Sequence, residues 1–147
     1  MTGCLIDTNV ISEWSKPRPA PRVADFVSNS RRQHLFVSSV CIAEIRYGAD
    51  TAASPEARNR LIDWLENELR PFFRNRVLEV GEDIVLATLK LTEQSARRRQ
   101  AVHFADSLIA ATAHVHRLVV VTRNVKDFLN LSVPVLNPWT GERFNGA

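Results

Sequence analysis

Leu5-Ile6-Asp7-Thr8-Asn9 is the stretch on which the reading of this chain turns. Cys4, Leu5 and Ile6 make a short apolar run of the kind a buried strand uses, and the run stops at an acid followed by two small polar residues. A carboxylate is left at a strand end. Two readings stand at this point. Asp7, Thr8 or Asn9 caps a helix starting at Val10, since these residue types satisfy the free N–H groups of a first turn. Alternatively, Asp7 is one corner of a site whose other corners arrive from far off in the sequence.

Working outward, the pairing of strand and helix recurs. Val10 to Trp14 reads as a short helical segment stopped by Lys16-Pro17, and after the proline-rich loop a helix restarts over Arg22 to Asn29. Leu35-Phe36-Val37 is a second strand, and Ser38-Ser39 lead into a helical pattern from Val40 to Ala49. Ser54-Pro55 is a helix start, with serine as cap and proline at the first helical position, and Leu61, Leu65, Leu69 and Phe72 follow at helical spacing. Val77 to Val80 reads as a strand. Glu82-Asp83 open a helix to about Gln94, whose Val85, Leu86 and Leu89 are expected to face inward. An alanine-rich helix from His103 to His116 precedes the most regular strand, Leu118 to Thr122. A helical turn over 124–131 and a last strand over 133–136, placed at a sheet edge because of Pro134, complete the pattern. This alternation implies one α/β domain over 1–147, a three-layer α/β/α sandwich around a mostly parallel sheet of four to five strands.

Composition is that of an ordinary globular chain, 45% hydrophobic and 24% charged over 147 residues, which sets aside disordered and fibrous classes. The apolar runs are far shorter than the roughly 20 residues of a membrane-spanning helix, and Asp7 and Glu13 interrupt any secretory h-region, so a cytoplasmic protein with no membrane partner is expected. Cys4 and Cys41 lie in apolar contexts without metal or redox spacing and read as small core residues. The formal charge is +3, with arginines clustered at Arg31-Arg32, at Arg70, Arg74 and Arg76, and at Arg97-Arg98-Arg99. Such clusters suit a polyanion, and equally a solvated surface.

Two further acids fall where apolar residues are expected. Glu44 has Val40, Cys41 and Tyr47 as helical neighbours, which puts it on or beside the apolar stripe, and Asp106 stands among Val102, Ile109 and Ala110. An ionised carboxylate at such a place needs a cation, a metal or a set of donors. Pairing with Arg46 or Arg123 would satisfy one acid, but the topology favours a common site. In a parallel α/β sheet, strand ends and helix starts share the carboxyl edge where ligands bind. Asp7 ends the first strand there, Glu44 and Asp106 lie early in their helices, and Thr122-Arg123-Asn124 end the fourth strand with Asp127 close behind. An all-oxygen set of this kind suits Mg²⁺ or Mn²⁺, and with the basic clusters it points to a metal-dependent nuclease.

These residues resemble a known family. Leu5-Ile6-Asp7-Thr8-Asn9, Ser38-Ser39 with Ala43-Glu44-Ile45, Ala105-Asp106-Ser107-Leu108-Ile109-Ala110-Ala111, and Thr122-Arg123-Asn124-Val125-Lys126-Asp127-Phe128 are similar, in order and spacing, to the PIN-domain ribonucleases. More narrowly they resemble the VapC toxins of bacterial type II toxin–antitoxin modules, and Val135-Leu136-Asn137-Pro138-Trp139 is similar to their FitB-like branch. The resemblance implies a Mg²⁺- or Mn²⁺-dependent endoribonuclease that cuts tRNA, rRNA or mRNA to halt translation. It also implies a homodimer held in check by a VapB- or FitA-like antitoxin, with a tetramer of heterodimers on DNA as the larger assembly.

Carried over by position, the family's three acids match Asp7, Glu44 and Asp106 as metal and catalytic residues, with Thr8, Asn9, Ser39 and Thr122 alongside them. For the fourth acidic position this chain has Asn124, with Asp127 later; Asn124 is placed nearer the metal and Asp127 is the alternative. Arg46 and Arg97, Arg98 and Arg99 are the candidate RNA contacts. Two competing functions are an aspartyl-phosphate phosphohydrolase with Asp7 as nucleophile, and a non-catalytic PIN-fold module that binds RNA or protein. The first lacks the acid two residues after Asp7 that haloacid-dehalogenase-type enzymes present, and the second is motivated by Asn124.

Overall fold

β1 (Cys4–Ile6) lies inside the sheet, and the other elements can be placed from it. The computed structural model describes residues 2–145, so the outermost positions of the 1–147 span, Met1, Gly146 and Ala147, lie outside the described residues. β1 pairs in parallel with β2 (Leu35–Ser38) on one side and with β4 (Val119–Val121) on the other, with Ile6 opposite Val121. β3 (Val77–Leu78) extends the sheet beyond β2, and β5 (Val135–Leu136) and β6 (Arg143–Phe144) extend it beyond β4. The order is β3-β2-β1-β4-β5-β6, parallel except for β6.

The mostly parallel sheet is the one expected, and its sixth strand, one beyond the expected four to five, comes from a hairpin too short to show periodicity. Gly141 has φ +78°, a left-handed conformation open to glycine, and its N–H bonds to the Asn137 carbonyl at 2.8 Å, turning the chain back onto β5. β5 is therefore covered on both sides rather than being an edge. Pro134 is tolerated because it precedes the paired residues and contributes only its carbonyl, which accepts from the Val120 N–H at 2.9 Å.

The helices that matter for the site start where strands end. α1 (Thr8–Trp14) follows β1 directly, α2 (Pro21–Asn29) begins on its proline, and α3 (Ser39–Asp50) follows β2 with Ser38 as its cap, the serine oxygen accepting from the Val40 N–H. α4 (Pro55–Trp64) runs through a π-helical turn, Leu65–Leu69, into α5 (Arg70–Phe72), and buries Leu65 and Leu69. α6 (Glu82–Arg97) and α7 (Phe104–His116) pack together ahead of β4, and α8 (Val125–Leu129) follows it.

On α6 the expected inward face is reversed. Val85, Leu86 and Leu89 are 45%, 51% and 61% exposed, while Ile84, Thr88, Leu91 and Ser95 are buried. The buried hydroxyls remain satisfied, Thr88 Oγ1 donating to the Ile84 carbonyl and Ser95 Oγ to that of Asn130. Cys41 is buried and Cys4 half-buried, both unpaired thiols whose pKa burial raises. Among the described residues no helix is long and apolar enough to cross a membrane.

Candidate active site

Asp7 is held from both ends of its carboxylate. It is itself the cap of α1, Oδ1 accepting from the Thr8 N–H at 2.8 Å. The capping reading therefore holds for Asp7 itself, and its other oxygen is left for the neighbouring strand. Oδ2 accepts from Thr122 Oγ1 at 2.8 Å and from Asn9 Nδ2 at 3.3 Å. The sheet register makes this possible: Ile6 stands opposite Val121, so the next residue on each strand, Asp7 and Thr122, meet at the carboxyl edge. Asn9 also donates to Thr122 Oγ1 and accepts the Arg123 N–H through Oδ1, tying the start of α1 to the end of β4. Thr122 is fully buried and takes a further N–H from Asn124.

Glu44 joins this network through Thr8, whose hydroxyl donates to Oε1 at 2.8 Å. It is exposed, which corrects its expected place on the apolar stripe. The buried face of α3 is Cys41, Ile42, Ile45 and Ala49, and Glu44 projects from the other side, as does Tyr47 at 70% exposure. Asp106, in the first turn of α7, is half-buried.

The electrostatics connect the acids. Asp7 is 5% exposed, and burial is the largest influence pushing its pKa up to about 6. The Thr122 hydroxyl and Thr8 amide oppose that shift, whereas the charges of Asp106 and Glu44 add to it. Asp106 is raised by burial first and then by Asp127, with His103 pulling it down and Glu44 pushing it up. Four acids therefore share one field, and among the described residues none of them is in an ion pair. The expected pairing with Arg46 or Arg123 is not formed. Arg46 is exposed on α3, and the Arg123 guanidinium lies over the Trp139 ring, 5.0 Å from its centroid.

The remaining candidates divide. Ser39 opens α3 next to the capping Ser38, and no hydrogen bond ties its side chain to the acids. Asn124, at the cap position of α8, is exposed and its side chain makes no capping bond, while half-buried Asp127 is the residue whose charge reaches Asp106. Arg97 bonds Glu93 on its own helix at 2.8 Å, and Arg98 donates to Ser132 at 3.2 Å, so neither is directed to the acids; Arg99 is exposed. Sequence reasoning passed over Arg123 as a site residue. Its only signal was its place directly after Thr122.

The groups bonded to the acids are amides and hydroxyls, with the His103 imidazole acting on Asp106 and the buried Cys41 thiol beside Thr8, and the carboxylates themselves have the chemistry of a hard-cation site. Among the described residues no three His, Cys, Asp or Glu side chains close on one point as a complete ligand set. The arrangement fits an ion held by one or two carboxylates whose shell is completed by water and substrate oxygens, as Mg²⁺ commonly is.

Residues 4–132 match the family model for the PIN domain. The chain is 33% identical to Toxin FitB of Neisseria gonorrhoeae over 92% of its own length and 97% of the relative's. It is 34% identical to VapC ribonuclease Y4jK of Sinorhizobium fredii, with coverage of 92% and 96%. Among solved structures, FitAcB from Neisseria gonorrhoeae superposes with a TM-score of 0.87 at 32% identity, covering 92% of this chain and 98% of that one. Fold, family model and relatives agree: the chain belongs to the PIN-domain family, within the toxin group that contains FitB and the VapC ribonucleases.

Proposed function

We propose that the protein is the endoribonuclease toxin of a type II toxin–antitoxin module and that it hydrolyses RNA phosphodiester bonds with the help of Mg²⁺ or Mn²⁺. The observation that carries this reading is the set of four acids at the carboxyl edge of the sheet, whose charges help to raise the pKa of Asp7 and Asp106, with no described cation paired to them. The names of the relatives, toxin and ribonuclease, support the reaction class.

Asp7 and Asp106 are the residues that would hold the ion, with Glu44 beside them. When bound, a divalent cation supplies positive charge for the phosphate oxygens and acidifies a water. The protein's own part is positional. Thr122 and Asn9 fix Oδ2 of Asp7, and the Thr8 amide fixes Oδ1, so the carboxylate cannot rotate away from the edge. The Thr8 hydroxyl engages Oε1 of Glu44, leaving Oε2 as the atom that can take a proton from the attacking water. Asp7 is poorly suited to the alternative role of phosphohydrolase nucleophile, since both of its oxygens are already engaged by donors and Asn9 stands where that chemistry needs an acid.

An antitoxin is the natural partner. The solved relatives include the FitAB complex bound to a DNA fragment, which superposes with a TM-score of 0.86 at 31% identity. A homodimer is supported by the exposed row Val85, Leu86 and Leu89 on α6, an apolar face that a second copy would cover. Leu86→Glu is expected to convert the dimer to monomer in sedimentation equilibrium, and an unchanged mass would remove this face from the interface.

The catalytic reading is tested with Asp7→Asn and Asp106→Asn. Each is expected to lower single-turnover cleavage of end-labelled RNA by about 10³-fold and to relieve growth arrest on induction. Calorimetry should show Mn²⁺ binding to the wild type and none to the double variant. Cleavage and arrest that survive both substitutions would sink the reading.

A further inference from the structure

β4 carries the chain from the acid site into a second feature that the reaction as derived does not use. Residue 123 is locked in place, because its N–H is bonded to Asn9 Oδ1, and Asn9 is bonded in turn to Asp7. From that fixed backbone the Arg123 side chain reaches over Trp139, whose backbone N–H donates to Asn137 Oδ1 at 2.9 Å at the base of the β5–β6 hairpin. A guanidinium stacked on an indole keeps its in-plane N–H donors available at the ring's edge. Among the described residues Arg123 and Lys126 form no ion pair.

Both cations line one cleft of about 360 Å³, whose remaining walls include Asn124, Asp127, Asn137 and Glu142. The volume lies within the roughly 300–1,000 Å³ usual for ligand clefts. Asp127 links it to the acid cluster, since it lines the cleft and its charge acts on Asp106. Glu142 faces the same space, and Arg123 also acts on Glu13 across α1, without either acid closing a bridge to it. Four acids gathered at one sheet edge repel a polyanion, so a nuclease needs positive charge placed beside them.

The geometry points to an anion subsite in which Arg123 and Lys126 hold an RNA phosphodiester next to the one being cut, with Trp139 keeping the guanidinium in position. Resting on the ribonuclease reading above, this makes Arg123 and Lys126 substrate-positioning residues. It transfers the RNA-contact role expected of Arg97 and Arg98 to a pair set beside the acids.

The test is binding, so it is separable from cleavage. Fluorescein-labelled single-stranded RNA is titrated by anisotropy with the full chain in chelator, at several salt concentrations. Arg123→Ala is expected to weaken the complex about tenfold, the size of one charge-assisted hydrogen bond, and to flatten the slope of log K against log salt by about 0.7. Lys126→Ala should shift both in the same direction. Arg123→Lys should restore the slope and only part of the affinity, because the charge returns without the stack. Arg97→Ala, whose side chain is engaged by Glu93, should bind as the wild type does.

Wild-type affinity and slope in both Arg123→Ala and Lys126→Ala would overturn the subsite. So would a loss confined to binding of poly-glutamate, which would assign the cleft to an acidic protein segment instead. If Asp7→Asn abolishes cleavage while Arg123→Ala and Lys126→Ala both bind RNA normally, the subsite fails and the ribonuclease reading stands; if Asp7→Asn cleaves, the reading itself fails.

Discussion

Asp7 and Glu44 share a charge and a network, and they are held in opposite ways. Asp7 is buried, with three donors on its two oxygens, and its pKa is pushed up to about 6; Glu44 is exposed and touched by one hydroxyl. The difference shows a site with one pole preorganised by the sheet and one pole free to adapt. The fixed pole comes from adjacent parallel strands ending in register, which leaves Asp7 no alternative position. The adaptable pole comes from the solvent side of α3, where a side chain can swing towards water, ion or substrate. A buried carboxylate without a cation is a cost the fold carries until one arrives, whereas an exposed one carries little.

The largest effect that can break this comparison is on stability in chelator. Asp7 titrates near 3.8 when unfolded and near 6 when folded, so its contribution to stability is fully present below about 3.8 and is lost as the pH rises through about 6. At about 1.4 kcal/mol per unit, the ionised form costs roughly 3 kcal/mol at pH 7.5. Asp7→Asn removes that cost and spoils about one hydrogen bond, worth roughly 1 kcal/mol, so the variant should be more stable than the wild type by about 2 kcal/mol at pH 7.5. The advantage should shrink as the pH falls through 6 and be gone by pH 4. Glu44→Gln, which keeps an oxygen for Thr8, should stay within about 0.5 kcal/mol of wild type at each pH. Saturating Mn²⁺ should then stabilise the wild type and leave Asp7→Asn unmoved. Urea melts across pH decide it: an Asp7→Asn protein weaker than wild type at pH 7.5 in chelator would mean that the buried charge is already compensated.

The same contrast explains what the sequence could show. The position of Asp7 was legible because an apolar run ending at an acid is a local pattern, and the parallel topology then carried Glu44, Asp106 and Thr122 to the same edge. What escaped depended on which side of an element faces the core. On α6 the row Val85, Leu86, Leu89 and the row Ile84, Thr88, Leu91 have equally good helical spacing. The second row is inside, where α6 packs on α7 and Thr88 satisfies its hydroxyl on its own backbone. Clustering in sequence likewise favoured Arg97 to Arg99, although an arginine four residues after a glutamate is readily used up on its own helix, as Arg97 is. Arg123 needs Trp139 for its placement, and Trp139 reaches it only through a hairpin whose strand β6 spans two residues.

A smaller effect sharpens the adaptable pole, at the fourth corner. Asn124 stands where many relatives of the PIN type are expected to carry an acid, but what it gives the site is its backbone N–H, donated to Thr122 Oγ1 at 3.0 Å, and any residue except proline supplies that group. Asp127 occupies the first turn of α8, where the helix dipole favours an acid, and its charge is the second-largest influence on Asp106. Asp127→Asn is therefore expected to weaken Mn²⁺ affinity and RNA cleavage about tenfold, the usual cost of losing a group that supports a metal ligand, with Asn124→Ala within about twofold of wild type. The opposite ranking would make the Asn124 side chain the fourth corner. The ranking follows from what each residue can offer a cation. A carboxylate one helical turn along α8 adds charge to the field of Asp106, whereas an exposed amide at the cap adds only a weak dipole that water can replace.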